Sequence, residues 1–425
     1  MEQEPSSAPE ILFLRWVPGL KVIVALLAVL PFLVLLHAPL LVDERVLFFE
    51  ARKWIGLDPL APFSLPLGGS GTWRPLLLYV YWLDSGSPTW LSHLLNLALH
   101  AGLSVLVFVW LERRLSTSGA FLGACFFAVH GSHVATAGWV AGRADLAMVT
   151  CVVLALLALD RGRWLLCSLS CAAAVLFKET AVVVPLLLFL ASRWPSGVET
   201  ATRSQGRALC LSGATVAIAF AVTISIAEVS PGYWPGTENV LTGLAMLAVP
   251  YLLEVLVPWF RPLAVPWSLP DLVGMVFAVP VASVFVWAAW RSRDETMRLG
   301  LVFCVLGMAP VIHVLGNDGG QWYLLLPSLG ASLVWGSWAK TRTKQGIAVV
   351  LVTATLGCTV VEASRWRGAA DQIGQIISEA QVVAQELGAD ALEQPPAQDP
   401  RSWPHVGPSF CCGLPYQLLE PLPPK

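Results

Sequence analysis

Apolar stretches of helical length recur along almost the whole chain, and they leave it few ways to fold. They lie near 17–42, 91–111, 118–132, 144–159, 164–177, 180–192, 208–228, 271–290, 298–315, 321–338 and 345–361. Spanning the hydrocarbon core of a bilayer takes about 20 residues. Only 13% of the residues are charged, against about 25% in soluble domains, and mean hydropathy is +0.68. An all-α polytopic membrane protein with about eleven transmembrane helices is expected. The first run has no A-x-A pattern after it and reads as a retained helix, not a cleaved signal.

Charge sets the expected orientation. With the N-terminus inside, the short inside loops collect more than half of the 26 Lys and Arg, including Arg113-Arg114, Arg161, Arg163, Arg291, Arg298, Lys340 and Lys344. A crossing at 240–258 would turn every later basic loop outward. That segment is therefore expected to lie along the membrane or to dip in and return, and the C-terminus falls outside. The expected division is a transmembrane domain over 1–362, with outer loops 43–90 and 229–270, then a short outside tail over 363–425. In the tail, 366–387 reads as an amphipathic helix (Ile373, Ile376, Ile377, Ala380, Val383), followed by a Pro-rich stretch.

Segments 164–177 and 180–192 have basic flanks on both sides, which predicts a tight hairpin with Phe177-Lys178-Glu179-Thr180 at its tip. A Lys-Glu pair at that depth needs a polar cavity or a partner. The net charge of −2 distinguishes no partner, and no basic tract suited to nucleic acid appears. Seven of the nine Cys lie in apolar runs and read as small buried hydrophobes. No CxxC or Cys/His zinc spacing occurs, and Cys411-Cys412 are neighbours whose pairing is left open.

On this topology the unusual polar groups gather on the outer side. They are Asp43-Glu44, Arg74, His93, Asn96, His100, His130, His133, Arg143, Asp145, Lys178-Glu179, His313, Asp318, Gln321 and Tyr323. Each has a plain structural reading. Asp43-Glu44 ends a helix, the His93/Asn96/His100 stripe bonds between helices, and Arg143 pairs with Asp145. Together, Arg143, Lys178 and Arg74 form a cationic set beside two carboxylates. That set suits transfer from a phosphate-bearing lipid: the cations hold the departing phosphate while a carboxylate takes the acceptor's proton. His130 and His133, one helical turn apart, suit phosphate or hydroxyl contacts; a divalent metal there is left open.

Several strings resemble the GT-C superfamily of membrane glycosyltransferases, which use polyprenyl-phosphate-linked sugars. Leu41-Val42-Asp43-Glu44-Arg45 is similar to the acidic pair of protein O-mannosyltransferases and of the lipid A aminoarabinose transferase. Trp73-Arg74-Pro75-Leu76, His93-Leu94-Leu95-Asn96 with His100, and Val129-His130-Gly131-Ser132-His133 resemble the tetratricopeptide-bearing O-mannosyltransferase branch and its bacterial relatives. So do Gly138-Trp139-Val140-Ala141-Gly142-Arg143-Ala144-Asp145, Phe177-Lys178-Glu179-Thr180 and Gln321-Trp322-Tyr323 through Pro327-Ser328. The matched order covers about 40–370. The branch has Pro where this chain has Gly131 and Arg where it has Trp322, and no 34-residue repeat is visible here.

The resemblance implies a GT-C-like fold with Asp43 as catalytic base or acceptor-orienting group and Glu44 in support. It implies Arg143, Lys178 and Arg74 at the donor phosphate, with His93, His130, His133, Glu179, Gln321 and Tyr323 lining the site. Partners would be a polyprenyl-phosphate-linked sugar, a protein, lipid or glycan acceptor, and membrane lipids. Displacement at the sugar carbon would invert its configuration, in a bacterial inner membrane by default. A flippase for lipid-linked sugars and an inactive relative acting as assembly partner remain alternatives.

Overall fold

The computed structural model describes residues 17–66, 71–193, 203–227, 251–257, 294–312 and 321–387, with a few positions between 283 and 292. Helix is the only regular structure among them. In chain order come α1 (Val17–Leu27), a 3₁₀ segment (Leu30–His37), α2 (Val42–Leu57), α3 (Pro75–Asp84), α4 (Thr89–Leu111), α5 (Thr117–Ala128) and α6 (His133–Gly138). A 3₁₀ turn (Val140–Gly142) leads into α7 (Arg143–Asp160), then α8 (Trp164–Phe177), a 3₁₀ segment (Glu179–Val183), α9 (Val184–Arg193) and α10 (Arg203–Ile226). The short α11 (Leu252–Leu256), α12 (Glu295–Met308), α13 (Leu325–Trp338) and α14 (Arg342–Leu387) complete the set, with a 3₁₀ turn over Gln321–Leu324 before α13.

Four helical spans, Thr89–Leu111, Val140–Asp160, Ser204–Ile226 and Arg342–Gln375, are long and apolar enough to cross a membrane by length and composition. The bent pair Pro18–Leu27 and Leu30–His37 makes a fifth if it counts as one. Of the expected run at 271–290 only a few positions are described, and of the segment 240–258 only residues 251–257.

α7 is the most enclosed of the membrane-length spans, whereas most of α10 and α14 faces outward with exposed side chains such as Ile218, Ile224, Val350 and Val361. Its neighbours are α4, α8 and α9. In lipid the hydrophobic effect does not drive helices together, so close van der Waals packing must, and small residues allow it. α13 shows this on two sides. A Cβ on Gly336 would lie 2.6 Å from the Gly119 carbonyl oxygen of α5, and one on Gly330 would lie 2.3 Å from the Gly300 oxygen of α12. The backbones touch there, and no side chain fits between them.

Three expectations change. The run 17–42 is not one straight helix: it bends by 43° before Leu30. Pro31 opens the 3₁₀ segment, and lacking an N–H it cannot continue the α1 ladder. In consequence Asp43 and Glu44 do not end a helix but open one, in the first turn of α2. Carboxylates are favoured there because the free N–H groups and the helix dipole present positive charge. Nor do α8 and α9 close into a tight hairpin: they scarcely touch each other, and both pack on α7 and α10. Finally, the last apolar run and the amphipathic 366–387 are one continuous helix, α14, of 46 residues. No Pro interrupts its sequence, and Trp366, Ala370, Ile373 and Ile377 bury one stripe of its second half against the 3₁₀ segment of residues 30–37 and its surroundings.

Candidate functional site

The site is built around the first turn of α7. Trp139 ends α6, and the turn Val140–Gly142 passes so close to it that a Cβ on Gly142 would lie 2.7 Å from the Thr136 carbonyl oxygen. Only glycine allows that approach, and it delivers Arg143 and Asp145 to the head of α7. Arg143 is wholly buried. Its guanidinium donates to Asp84 Oδ2 at 2.8 Å, Asn96 Oδ1 at 2.8 Å and the Ser92 carbonyl at 2.9 Å. Arg143 and Asp145 do not pair with each other, contrary to the plain reading of their spacing.

Asp145 instead takes Lys178. The ammonium reaches both carboxylate oxygens, at 2.7 and 2.6 Å, and lies 4.7 Å from the centre of the Tyr323 ring. Lys178 sits in extended backbone between α8 and the following 3₁₀ segment, where the helical path breaks. Beside it, Arg74 at the N-cap of α3 makes a bidentate pair with Glu179, at 2.9 and 2.6 Å. The two pairs differ in depth: the side chains of Lys178 and Asp145 are 5% and 6% exposed, those of Arg74 and Glu179 18% and 27%. Burial alone would raise the Glu179 carboxyl, but the Arg74 guanidinium, with help from Lys178, holds it down to about 2. Reciprocally, burial disfavours the Arg74 charge, and Glu179 more than offsets that.

Glu44 faces this cluster from α2. One carboxylate oxygen accepts the Leu41 N–H, closing the start of α2, and the other accepts the Val140 N–H. It thus bolts the helix that carries Asp43 to the turn that carries Arg143. The side chain of Asp43 lies outside the described residues, as do the side chain of Gln321 and all of His313 and Asp318. Tyr81 fills the space between: it is fully buried, donates to the Ala141 carbonyl at 3.1 Å, and has Arg143 5.8 Å from its ring. Glu44, Arg74, Arg143 and Asp145 are all near enough to act on its phenol electrostatically.

The structure brings Arg74, Lys178, Glu179 and Tyr323 together and sets Arg143 and Glu44 next to them. The histidines form a separate layer. His93 Nε2 donates to the Ala38 carbonyl at 2.9 Å, His100 Nε2 to that of Ala128 at 3.1 Å and His130 Nε2 to that of Val255 at 3.0 Å. His130 Nδ1 accepts from Ser132 Oγ at 2.8 Å. Ser328 spends its proton on the Leu325 carbonyl, so it accepts from His133 Nε2 at 2.9 Å. These Nε2 atoms therefore carry protons and tie α4, α5, α6, α11 and α13 together; as placed they are donors to protein acceptors, not metal ligands. Among the described residues no group of three or more His, Cys, Asp or Glu could hold a metal ion.

Sequence reading passed over Asp84 and Tyr81. Asp84 is the last residue of an apolar helix, a position that signals little. The usable signal was Arg143, a cation in an apolar span that had to have a carboxylate near it.

Fold and site together define an all-helical protein with membrane-length apolar helices and a charge-balanced cluster at the head of the most enclosed one. Over 181 residues, 38% of this chain, it is 34% identical to the protein O-mannosyl-transferase Tmtc1 of Drosophila melanogaster. Over 141 residues, 29% of the chain, it is 33% identical to the protein O-mannosyl-transferase Tmtc2 of the same organism. The aligned segments make up 21% and 15% of those relatives' lengths, so the chain spans only a part of each. No protein-family model matches the chain. Over that part, the likeness to the O-mannosyl-transferase branch read from the motifs is a likeness in sequence identity as well.

Proposed function

We propose that this chain is a GT-C-type membrane glycosyltransferase that moves a hexose, mannose by analogy with its relatives, from a polyprenyl-phosphate donor to a protein hydroxyl. One observation carries the reading: two buried or half-buried cations, Lys178 and Arg74, meet at the head of α7, and Glu44 bolts the Asp43 helix to the same turn. The names of the relatives supply the sugar and the acceptor class.

In this reading the Asp43 carboxylate takes the proton of the acceptor hydroxyl. The oxygen attacks the anomeric carbon from the side opposite the phosphate, the bond to phosphate oxygen breaks, and configuration inverts. Arg74 and Lys178 neutralise the departing phosphate, for which a guanidinium fork and a point-charge ammonium both suit. Arg143 acts from behind, fixing the first turn of α7, and Glu44 holds the angle between α2 and that turn. Tyr323 lines the site beside Lys178, with Gln321 two residues before it in sequence. His93, His130 and His133 line it only indirectly, by holding its walls.

The proposed setting is a membrane domain over 1–362 of about eleven spans, N-terminus inside and C-terminus with the 363–425 tail outside, and the site at the outer face. Its 362/363 boundary falls within α14. The relatives are from Drosophila melanogaster, which favours no bacterial inner membrane, and the proposal holds for any membrane that carries the donor.

The test is Asp43→Asn in the full chain. Transfer from polyprenyl-phosphate mannose to a peptide or protein acceptor is expected to vanish while insertion and accumulation stay normal. Full retained activity would end the assignment of Asp43 as base.

A further inference from the structure

The cations offered to a phosphate are already occupied. Around the mouth of the cluster, Arg74 and Lys178 are matched by Glu179 and Asp145, so the four groups sum to zero charge. The sugar-bearing phosphodiester brings one negative charge and two free acceptor oxygens, and the monoester left after transfer brings one to two charges and three. Entering a cluster that keeps both carboxylates, either would leave a net negative charge in a poorly solvated place, which is costly. One carboxylate has to give way. The structure distinguishes the two. Asp145 is buried on α7 and holds Lys178 beneath the Tyr323 ring. Glu179 is the more open, lies at the first position of a short 3₁₀ segment, and follows a residue in extended backbone, so rotation of its own side chain suffices to release it. Its bidentate grip on the Arg74 Nε and Nη2 is also the grip a phosphate would use.

We propose that Glu179 is a built-in competitor for the anion site: it occupies the Arg74 fork in the empty protein, and a lipid phosphate headgroup, the sugar-bearing diester or the monoester left after transfer, displaces it on binding. The proposal rests on a phosphate-bearing ligand at this cluster, as in the function above, but not on transfer taking place. Lys178 keeps Asp145 throughout and serves as the fixed floor of the site.

Binding of two probes, dodecyl phosphate and inorganic phosphate, to the full chain in detergent micelles tests this. Glu179→Gln, which removes the competing charge, is expected to bind dodecyl phosphate at least tenfold more tightly than wild type, and Arg74→Met to lose binding at least tenfold. Tightening for dodecyl phosphate alone assigns a lipid headgroup; equal tightening for both probes assigns the phosphate anion itself. Unchanged or weaker binding of both probes by Glu179→Gln would overturn the proposal, since a merely structural pair predicts that. If that variant does not fold, Glu179→Asp keeps the charge but shortens the reach, and a gain of severalfold is expected; no gain overturns the idea. Sugar transfer is measured separately. Tighter binding with no transfer from any donor would sink the glycosyltransferase reading and leave this one standing, and the converse result would do the opposite.

Discussion

Removing the Asp84 carboxylate should damage the protein far more than removing that of Glu179, although each faces one arginine. The side chains of Arg143 and Asp84 are 1% and 5% exposed, and Arg143 has only Asn96 and the Ser92 carbonyl besides. Asp84→Ala leaves a guanidinium charge buried with two neutral acceptors. Breaking a buried pair from one side costs about 3–5 kcal/mol. At about 1.4 kcal/mol per factor of ten, that is a hundredfold to several-thousandfold shift toward the unfolded state. The Arg74–Glu179 pair is partly reached by solvent, so water takes up some of the charge left behind and the loss is smaller than for the sealed pair. The assay is thermal and denaturant unfolding of the detergent-purified full chain, followed by tryptophan fluorescence. Asp84→Ala should melt well below wild type and Glu179→Ala between the two. The double variant Asp84→Leu with Arg143→Met should regain most of the loss, because apolar replacement of both partners removes the stranded charge. A wild-type melting curve for Asp84→Ala would refute the placement of Arg143 in a sealed network.

Other substitutions follow the same logic. Glu44→Ala frees the Leu41 and Val140 N–H groups at once; each orphaned buried donor costs about 1–3 kcal/mol, so both stability and transfer should fall, whereas a stability loss with full transfer would count against its bolting role. Gly336→Val forces a side chain onto the Gly119 oxygen and should cost about 1–3 kcal/mol or more in unfolding, while Gly357→Ala, with open space around it, should be silent. Because Glu179 is ionised down to about 2 when folded and to about 4.5 as the free side chain, its pairing contributes fully above 4.5. That contribution should be lost as pH falls from 4.5 through 2, so Glu179→Gln should flatten this part of the stability profile and lower the plateau near neutrality without changing its slope there.

What the sequence disclosed was the class of fold and the identity of the cations. Apolar runs without charge cannot be anything but helices in lipid, so α4, α7, α8 and α13 lie close to where they were expected. A Lys and two Arg in or beside such runs have to be partnered, which is why Lys178, Arg74 and Arg143 all fall in one region. The partners were not legible. Asp84 and Asp145 are lone acids whose pairing depends on how α3 and α8 pack on α7, a long-range fact that no local spacing records. The bend before Leu30 was signalled by Pro31 but outweighed by the length of the apolar run, and that misplaced Asp43-Glu44 at the end of a helix. The histidine stripe was read correctly as one face of α4, yet its chemistry depends on carbonyls supplied by α5 and the chain before α2.

Sugar transfer by the purified full chain in liposomes tests the central claim most directly. The acceptor is a Ser- and Thr-bearing peptide, and the donors are polyprenyl-phosphate mannose and a nucleotide-linked mannose, offered separately. The account predicts mannose on the peptide from the lipid-linked donor alone, and none when Asp43 is Asn. Transfer from the nucleotide donor, or none from either with protein that binds dodecyl phosphate, would contradict it.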